Sequence, residues 1–248
     1  MSIEILFVFL LGISIGSFLN VIIFRIPKNE SIVFPSSHCS KCKVKLKIYH
    51  NIPIFSWFFL KGKCSFCNSK ISIQYPIVEF SSGLMFILLY SKFGITQEFF
   101  LVSAIFSTLL ALSVIDYKFK AVPDSLNLLA LTLAIVYPLE LQSIIFNFTN
   151  ALIFAGAFAL LRFYVSYFLK KEAMGEGDIM IAGTIGAMVG IPLGTLTIFL
   201  SAVLAIPIML IIKNEEAPFI PFLALALFIV VVFESTSIQF LNSLQLIP

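Results

Sequence analysis

Charge is what this chain has least of. Only 12% of its 248 residues are Asp, Glu, Lys or Arg, about half the share of an ordinary soluble domain. That deficit excludes a soluble globular enzyme with a charged surface. No run of like charge is long enough for an acidic or basic tail, and nothing resembles a nucleic-acid-binding module, so no nucleic acid is expected as a partner. A glycine-rich nucleotide fingerprint of the Rossmann type is missing. There is no internal repeat and no low-complexity segment. The first apolar run, residues 3–24, has neither a basic segment before it nor a small-residue cleavage site. It is therefore expected as a retained helix rather than a removed signal peptide.

What is abundant is apolar surface. Hydrophobic residues make up 60% of the chain, 28 of them Phe, and the mean hydropathy is +1.06. This excess is too large for a buried core and implies a multi-pass membrane protein with lipid as its solvent. Apolar runs cover residues 3–24, 76–90, 99–115, 126–141, 144–169, 179–189, 193–212 and 219–233. The fold expected is all-α, with about eight transmembrane helices and a zinc-binding cytoplasmic loop. Three parts follow: a first helix at 1–24, the loop at 25–75, and a helical, membrane-embedded catalytic part at 76–248. With the N-terminus outside, the segments at 25–74, 116–125, 170–178 and 213–218 share one face and hold 14 of the 16 Lys and Arg. The positive-inside rule makes that face cytoplasmic.

The same face holds the acids that matter. Asp116 follows one apolar run at once, and Asp178 closes Gly175-Glu176-Gly177-Asp178 just before another. A carboxylate at a membrane boundary is costly to desolvate, which makes it a functional candidate. Two that meet suit proton-sharing acid–base hydrolysis. Gly175 and Gly177 suit close backbone approach or positive φ beside such a group. Plainer readings stand alongside. Asp178 fits a first-turn helix acid, Asp116 a helix-terminal acid near Lys118 and Lys120, and Asp124 a turn or N-cap after Pro123.

The cysteines give a second pattern. Cys39-x2-Cys42 and Cys64-x2-Cys67 have the two-knuckle spacing of a tetrathiolate zinc site. On a cytoplasmic face thiols stay reduced, and Lys41, Lys43, Lys61 and Lys63 favour thiolates. A site with four protein ligands is closed, so the Zn²⁺ expected there is structural and not hydrolytic. Four free thiols or two redox pairs are the alternative, with His38 and His50 as possible substitute ligands. Asn20, beside Gly16 and Ser17, suits close helix packing. Glu79 is either an interfacial acid or a site residue. Arg162, deep in its run, needs a partner that the sequence does not name.

Taken in order, these residues resemble the bacterial prepilin peptidases, or type IV leader peptidases. The resemblance is carried by Gly16-Ser17-Phe18-Leu19-Asn20-Val21 with Arg25-Ile26-Pro27, by the Cys pairs flanking Asn51-Ile52-Pro53, and by Gln74-Tyr75-Pro76 with Glu79. Asp116 with Pro123-Asp124, and then Gly175-Glu176-Gly177-Asp178, complete it. It implies an aspartic endopeptidase of the bacterial inner membrane. Such an enzyme cuts the basic leader of type IV prepilins or type II secretion pseudopilins after a Gly, at the cytoplasmic face. It also implies N-methylation of the new terminal residue, usually Phe, with S-adenosylmethionine. By position Asp116 and Asp178 become the catalytic pair, with Asp124, Gly175, Gly177 and Glu79 supporting. Two departures stand out: Met180 where the family usually has Lys, and Ser40-Lys41 between the first Cys pair where Pro is common.

In the expected mechanism one Asp draws a proton from water while the other polarises the scissile carbonyl. The basic leader meets acids such as Glu172 and Glu176. Two competing classes remain at this point. A transporter or scaffold with a zinc-bearing loop should carry its acids mid-helix, whereas these lie at helix ends. A peptidase without methyl transfer is opposed by the Cys quartet only through the resemblance.

Overall fold

The computed structural model describes residues 3–170, 175–211 and 218–244, so Glu172 lies outside the described residues. The helices are α1 (Ile3–Arg25), α2 (Phe55–Phe59), α3 (Gln74–Phe93), α4 (Gln97–Phe119), α5 (Asp124–Val136), α6 (Leu141–Leu169), α7 (Glu176–Ile211), α8 (Ile220–Val232) and α9 (Glu234–Ser243). Among the described residues the chain also has two short 3₁₀ turns, Ile26–Lys28 and Ile48–His50, and two isolated β-bridges. Helices suit a bilayer, since a helix satisfies its own backbone polar groups.

The eight expected crossings are not what length and composition give. Among the described residues five helices are long and apolar enough to span a membrane, or six if α8 and α9, bent by 91° at their junction, count as one. The chain is thus a multi-pass membrane protein, and its described residues hold five or six candidate spans where the apolar runs suggest about eight. Three runs account for much of the difference. The 126–141 run yields only α5, because Pro138 disfavours helix at the residue before it and supplies no N–H of its own. The 179–189 and 193–212 runs lie together within α7, interrupted at Gly190, whose φ of 69° leaves the helical region.

The chain divides into two compact units, Met1–Ile95 and Thr96–Pro248. In the first, α1 packs on α3 through small residues. A Cβ on Gly12 would lie 2.8 Å from the Gly83 Cα, and one on Gly16 would lie 2.7 Å from the Glu79 Cα. Backbones approach this closely only where side chains are missing. Polar groups fix the register. Ser82 donates to the Gly12 carbonyl at 2.8 Å, Asn20 donates to the Tyr75 carbonyl at 3.1 Å, and Gln74 donates to Asn20 Oδ1 at 3.4 Å. Asn20 thus has the packing role its neighbours suggest.

Arg25 closes the start of the loop, donating to the carbonyls of Ser31 at 2.8 Å and Pro35 at 2.7 Å. Glu79 closes its middle. Its buried carboxylate accepts the Ile54 N–H at 2.6 Å. Ile54 has φ 63° and ψ −55°, and the Phe55 N–H reaches back to the Pro53 carbonyl at 2.6 Å. This is a γ-turn of the strained, positive-φ kind, built on a β-branched residue that disfavours it.

In the second unit α7 packs against α5, α6 and α8. Its core includes Ile105, Leu109, Leu112 and Ile115 of α4, Ile181 and Ile185 of α7, and Leu223 and Leu227 of α8, all essentially inaccessible. Gly186 and Gly194 admit Phe154 of α6, whose ring atoms would lie 2.7 Å and 2.5 Å from a Cβ at those positions. Arg162 finds its partner in Glu176, at 3.2 Å.

Candidate active site

The two acids that border apolar runs in the sequence lie near one another in space. Asp116 lies in the last turn of α4, which runs on to Phe119. It is buried, at 8% exposure. Lys120 caps the helix in the left-handed conformation and donates its N–H to the Asp116 carbonyl at 2.9 Å. The Asp116 carboxylate accepts the Ile220 N–H at 3.2 Å. Ile220 opens α8, so one of the amides that a helix start leaves orphaned is satisfied by this side chain.

Asp178 lies in the first turn of α7, which begins at Glu176. It is half-buried, and its Oδ2 accepts the Gly175 N–H at 3.2 Å. The plain reading of a first-turn acid is therefore correct, and it is compatible with a second role. Asp116 and Asp178 lie near enough for the charge of one to act on the other. Two like charges in such proximity favour one shared proton over two ionised groups.

The glycines have a narrower use than expected. Neither Gly175 nor Gly177 has positive φ. A Cβ on Gly177 would meet Val122 Cγ2 at 2.7 Å, so its role is close approach between α7 and the α4–α5 connection. A Cβ on Gly175 would make only an ordinary contact, 3.5 Å from Asp178 Oδ2. Asp124 does not cap α5. Pro123 occupies the cap position, and Asp124 is the first helical residue and exposed. The rigid φ of proline suits entry to a helix but supplies no side-chain acceptor.

Two contributors escape a reading by runs and motifs. The Ile220 amide is a backbone group and leaves no mark in composition. Asn127 does leave one: it is an amide inside an otherwise apolar run, which in a membrane helix signals a partner. It is fully buried and donates Nδ2 to the Gly177 carbonyl at 3.1 Å.

The cysteine quartet is a separate cluster in the first unit. The four Sγ atoms lie within 4.8 Å of one another. The two pairs are built alike. Lys43 N–H bonds the Cys39 carbonyl and Asn68 N–H bonds the Cys64 carbonyl, both at 2.9 Å. Cys39 N–H bonds the Val44 carbonyl at 3.0 Å and Cys64 N–H bonds the Ser69 carbonyl at 2.9 Å. Lys43 and Asn68 both have positive φ, 60° and 53°.

The quartet fits a tetrahedral divalent metal. Zn–S bonds of about 2.3 Å set S···S edges of about 3.8 Å, and Cys39 and Cys67 stand 3.8 Å apart. The Cys42 backbone amide, chiefly, holds the Cys39 thiol down to about 6. The Val44 amide pulls Cys42 down, but burial and its thiol neighbours push it up to about 11. Crowded thiolates resist joint ionisation, and a cation relieves that. His50 bonds Ser65 and the Lys47 N–H instead of joining the cluster, and His38 bonds the Ser36 carbonyl.

Comparison with known proteins follows the same division. A model of the bacterial peptidase A24 N-terminal domain matches residues 10–93. A model of the type IV leader peptidase family matches residues 103–210. The chain is 31% identical over 253 residues to the prepilin leader peptidase/N-methyltransferase of Neisseria gonorrhoeae, a match covering 87% of this chain and 86% of that protein. The chain belongs to the type IV leader peptidase family. It is also 32% identical over 253 residues to the Pseudomonas aeruginosa protein of the same name, covering 88% of this chain and 86% of that one. Identity to the Myxococcus xanthus protein of that name is 35% over 187 residues, covering 73% of this chain but only 55% of the relative. No solved structure matches the chain. Within the family's matched span, residues 103–210, fall both acids of the candidate pair, and within the N-terminal span fall all four cysteines and the Glu79–Ile54 contact.

Proposed function

We propose that this chain is a membrane-embedded aspartic endopeptidase and N-methyltransferase. It removes the leader peptide of type IV prepilins or type II secretion pseudopilins at the cytoplasmic face of the bacterial inner membrane. It then methylates the new N-terminal residue, usually Phe, with S-adenosylmethionine as donor. The observation that carries the reading is the proximity of Asp116, at the end of α4, to Asp178, at the start of α7, near enough for the charge of one to act on the other. The names of the relatives in Neisseria, Pseudomonas and Myxococcus support the two activities.

The chemistry needs no nucleophilic side chain. Asp116 and Asp178 share a proton. The ionised carboxylate takes a proton from water as it attacks the scissile carbonyl, and the protonated partner hydrogen-bonds the developing oxyanion. The proton taken from water then passes to the leaving amine. The apolar segment of the substrate lies among the helices, in lipid, and its basic leader stays outside the bilayer near Glu176, which is 81% exposed. Cys39, Cys42, Cys64 and Cys67 hold a structural Zn²⁺, which folds the loop and takes no part in hydrolysis. Asp124, Gly175 and Gly177 support this site, and Glu79 supports the cysteine-bearing loop by accepting the Ile54 N–H. Nucleic acid has no part in this reading.

The test is one incubation. Purified protein in lipid is mixed with a prepilin and methyl-labelled S-adenosylmethionine, and leader release and label in the product are scored together. The reading requires both. Label without cleavage, or neither, contradicts it; cleavage without label leaves a peptidase and removes the methyltransferase.

A further inference from the structure

We infer that Asn127 is a positioning residue of the peptidase site, holding the first turn of α7, and with it Asp178, against the end of α4 that carries Asp116. The inference rests on the aspartic reading above and goes beyond it.

One short stretch of chain does two things. Residues 116–127 carry Asp116 itself, and they also carry both contacts that seat Gly177. From one side of Pro123, Val122 lies so near Gly177 that a Cβ there would come within 2.7 Å of Cγ2. From the other side, Asn127 Nδ2 donates to the Gly177 carbonyl at 3.1 Å. Gly177 immediately precedes Asp178. Fixing its carbonyl and its Cα fixes where the next side chain leaves the helix.

Stability does not explain this bond. The Gly177 carbonyl sits in the first turn of a helix, where the amide four residues on is its regular partner. A second donor uses its remaining lone pair but rescues no orphan. The donor is worse placed. Asn127 is entirely buried, and its Oδ1 has no hydrogen-bond partner. A buried acceptor left unpaired costs about 1–3 kcal/mol. An apolar side chain of similar size would avoid that penalty. What Asn127 supplies and an apolar residue cannot is a fixed direction between α5 and the start of α7. Only its nitrogen can donate to a carbonyl, so the amide has one useful orientation.

The test separates positioning from mere packing. Asn127→Leu keeps the branching at Cγ in a somewhat larger side chain, deletes the donor and deletes the orphan oxygen. Cleavage kcat should fall on the order of 10- to 100-fold, the scale of a misplacement of about 1 Å. KM should stay within about twofold, because uniform binding is untouched, and the thermal midpoint should be unchanged or higher. A second pair of variants reaches the same turn without touching Asn127. Gly177→Ala drives a methyl into Val122 and should lower kcat similarly, and Gly177→Ala with Val122→Ala should recover most of it. Wild-type protein runs in parallel on the same prepilin. If wild type leaves the prepilin uncut, the peptidase reading falls and takes this inference with it. If wild type cuts and Asn127→Leu cuts equally fast, the inference alone is overturned. It is also overturned if Asn127→Leu fails to fold or melts earlier in step with its lost activity, or if Val122→Ala restores nothing to Gly177→Ala.

Discussion

The carboxylate of Asp116 accepts the backbone N–H of Ile220 at 3.2 Å, across 104 positions of the chain. One side chain thus seats the start of α8 and also lies near enough to Asp178 for its charge to be felt there. The two duties separate by substitution. Asn keeps an oxygen that can accept from Ile220, but it cannot exchange a proton. Asp116→Asn is therefore expected to retain the wild-type melting point while losing cleavage by roughly 10²- to 10⁴-fold, the range of general acid–base contributions. Asp116→Ala should lose activity equally and also destabilise by about 1–3 kcal/mol, because the Ile220 amide is left buried and unpaired. Leader release and thermal unfolding on the three proteins check this. An active Asp116→Asn, with Asp124→Asn inactive, would move the acid to Asp124, although Asp124 is exposed at the first position of α5.

The cysteine cluster predicts one tightly bound Zn²⁺ per chain. Elemental analysis of protein purified without chelator should give close to one equivalent. Cys39→Ser with Cys42→Ser should give nearly none. Well under half an equivalent in the wild type, or metal that survives the double substitution, counts against the site.

The division at Ile95 bears on the two activities. The cysteines lie in the unit Met1–Ile95 and the two aspartates in Thr96–Pro248. Structural zinc contributes folding energy to the small loop that holds it, whereas the helices satisfy their own backbones. Cys39→Ser with Cys42→Ser is therefore expected to depress methyl transfer more than cleavage, by at least about tenfold in their ratio. Both rates are measured on one prepilin, in detergent and in lipid. Equal loss of both would show that the loop serves the peptidase site as well.

Glu79 offers a prediction about the loop itself. Its carboxylate accepts the N–H of Ile54, the central residue of a strained γ-turn. Strain of this kind, about 1–3 kcal/mol, persists only while its surroundings enforce it. Glu79→Ala should let residues 48–60 exchange amide hydrogens and admit protease faster. Glu79→Gln, which keeps an acceptor, should stay close to wild type. Protection in α1 and α3 should change little, since the Gly12 and Gly16 contacts remain. Unaltered exchange at Ile54 in Glu79→Ala would show that the turn does not depend on this bond.

Particular residues show what was legible in advance. The Cys-x2-Cys pairs could be read because a metal site imposes spacing on the chain, and their sulfurs do cluster. Asp116 and Asp178 could be singled out because charge is rare here and hydropathy marks where it falls. The interruption after Val189 was visible in the residues and corresponds to Gly190. Helix ends were not legible: α4 continues to Phe119 past Asp116, and α7 starts at Glu176 ahead of Asp178. Hydropathy loses its signal where a helix becomes polar, while the backbone ladder continues. The number of crossings could not be fixed for a related reason, since an apolar run of about 15 residues fits a short buried helix as well as a span. The partners of the acids were out of reach altogether. The Ile220 amide and the Gly177 carbonyl are backbone groups, and which helix start lies against which carboxylate is decided by tertiary packing.

The central claim is that Asp116 and Asp178 act together to cut a prepilin. Its most direct test is leader release by purified wild type and Asp178→Asn in the same lipid, with the product N-terminus read by mass spectrometry. Asp178→Asn leaves the Gly175 N–H an oxygen to bond and removes only the titratable group. The account predicts a wild-type product beginning at the residue after a Gly, and no product from Asp178→Asn at equal protein and equal metal content. Cleavage by Asp178→Asn at a rate comparable to wild type would contradict it.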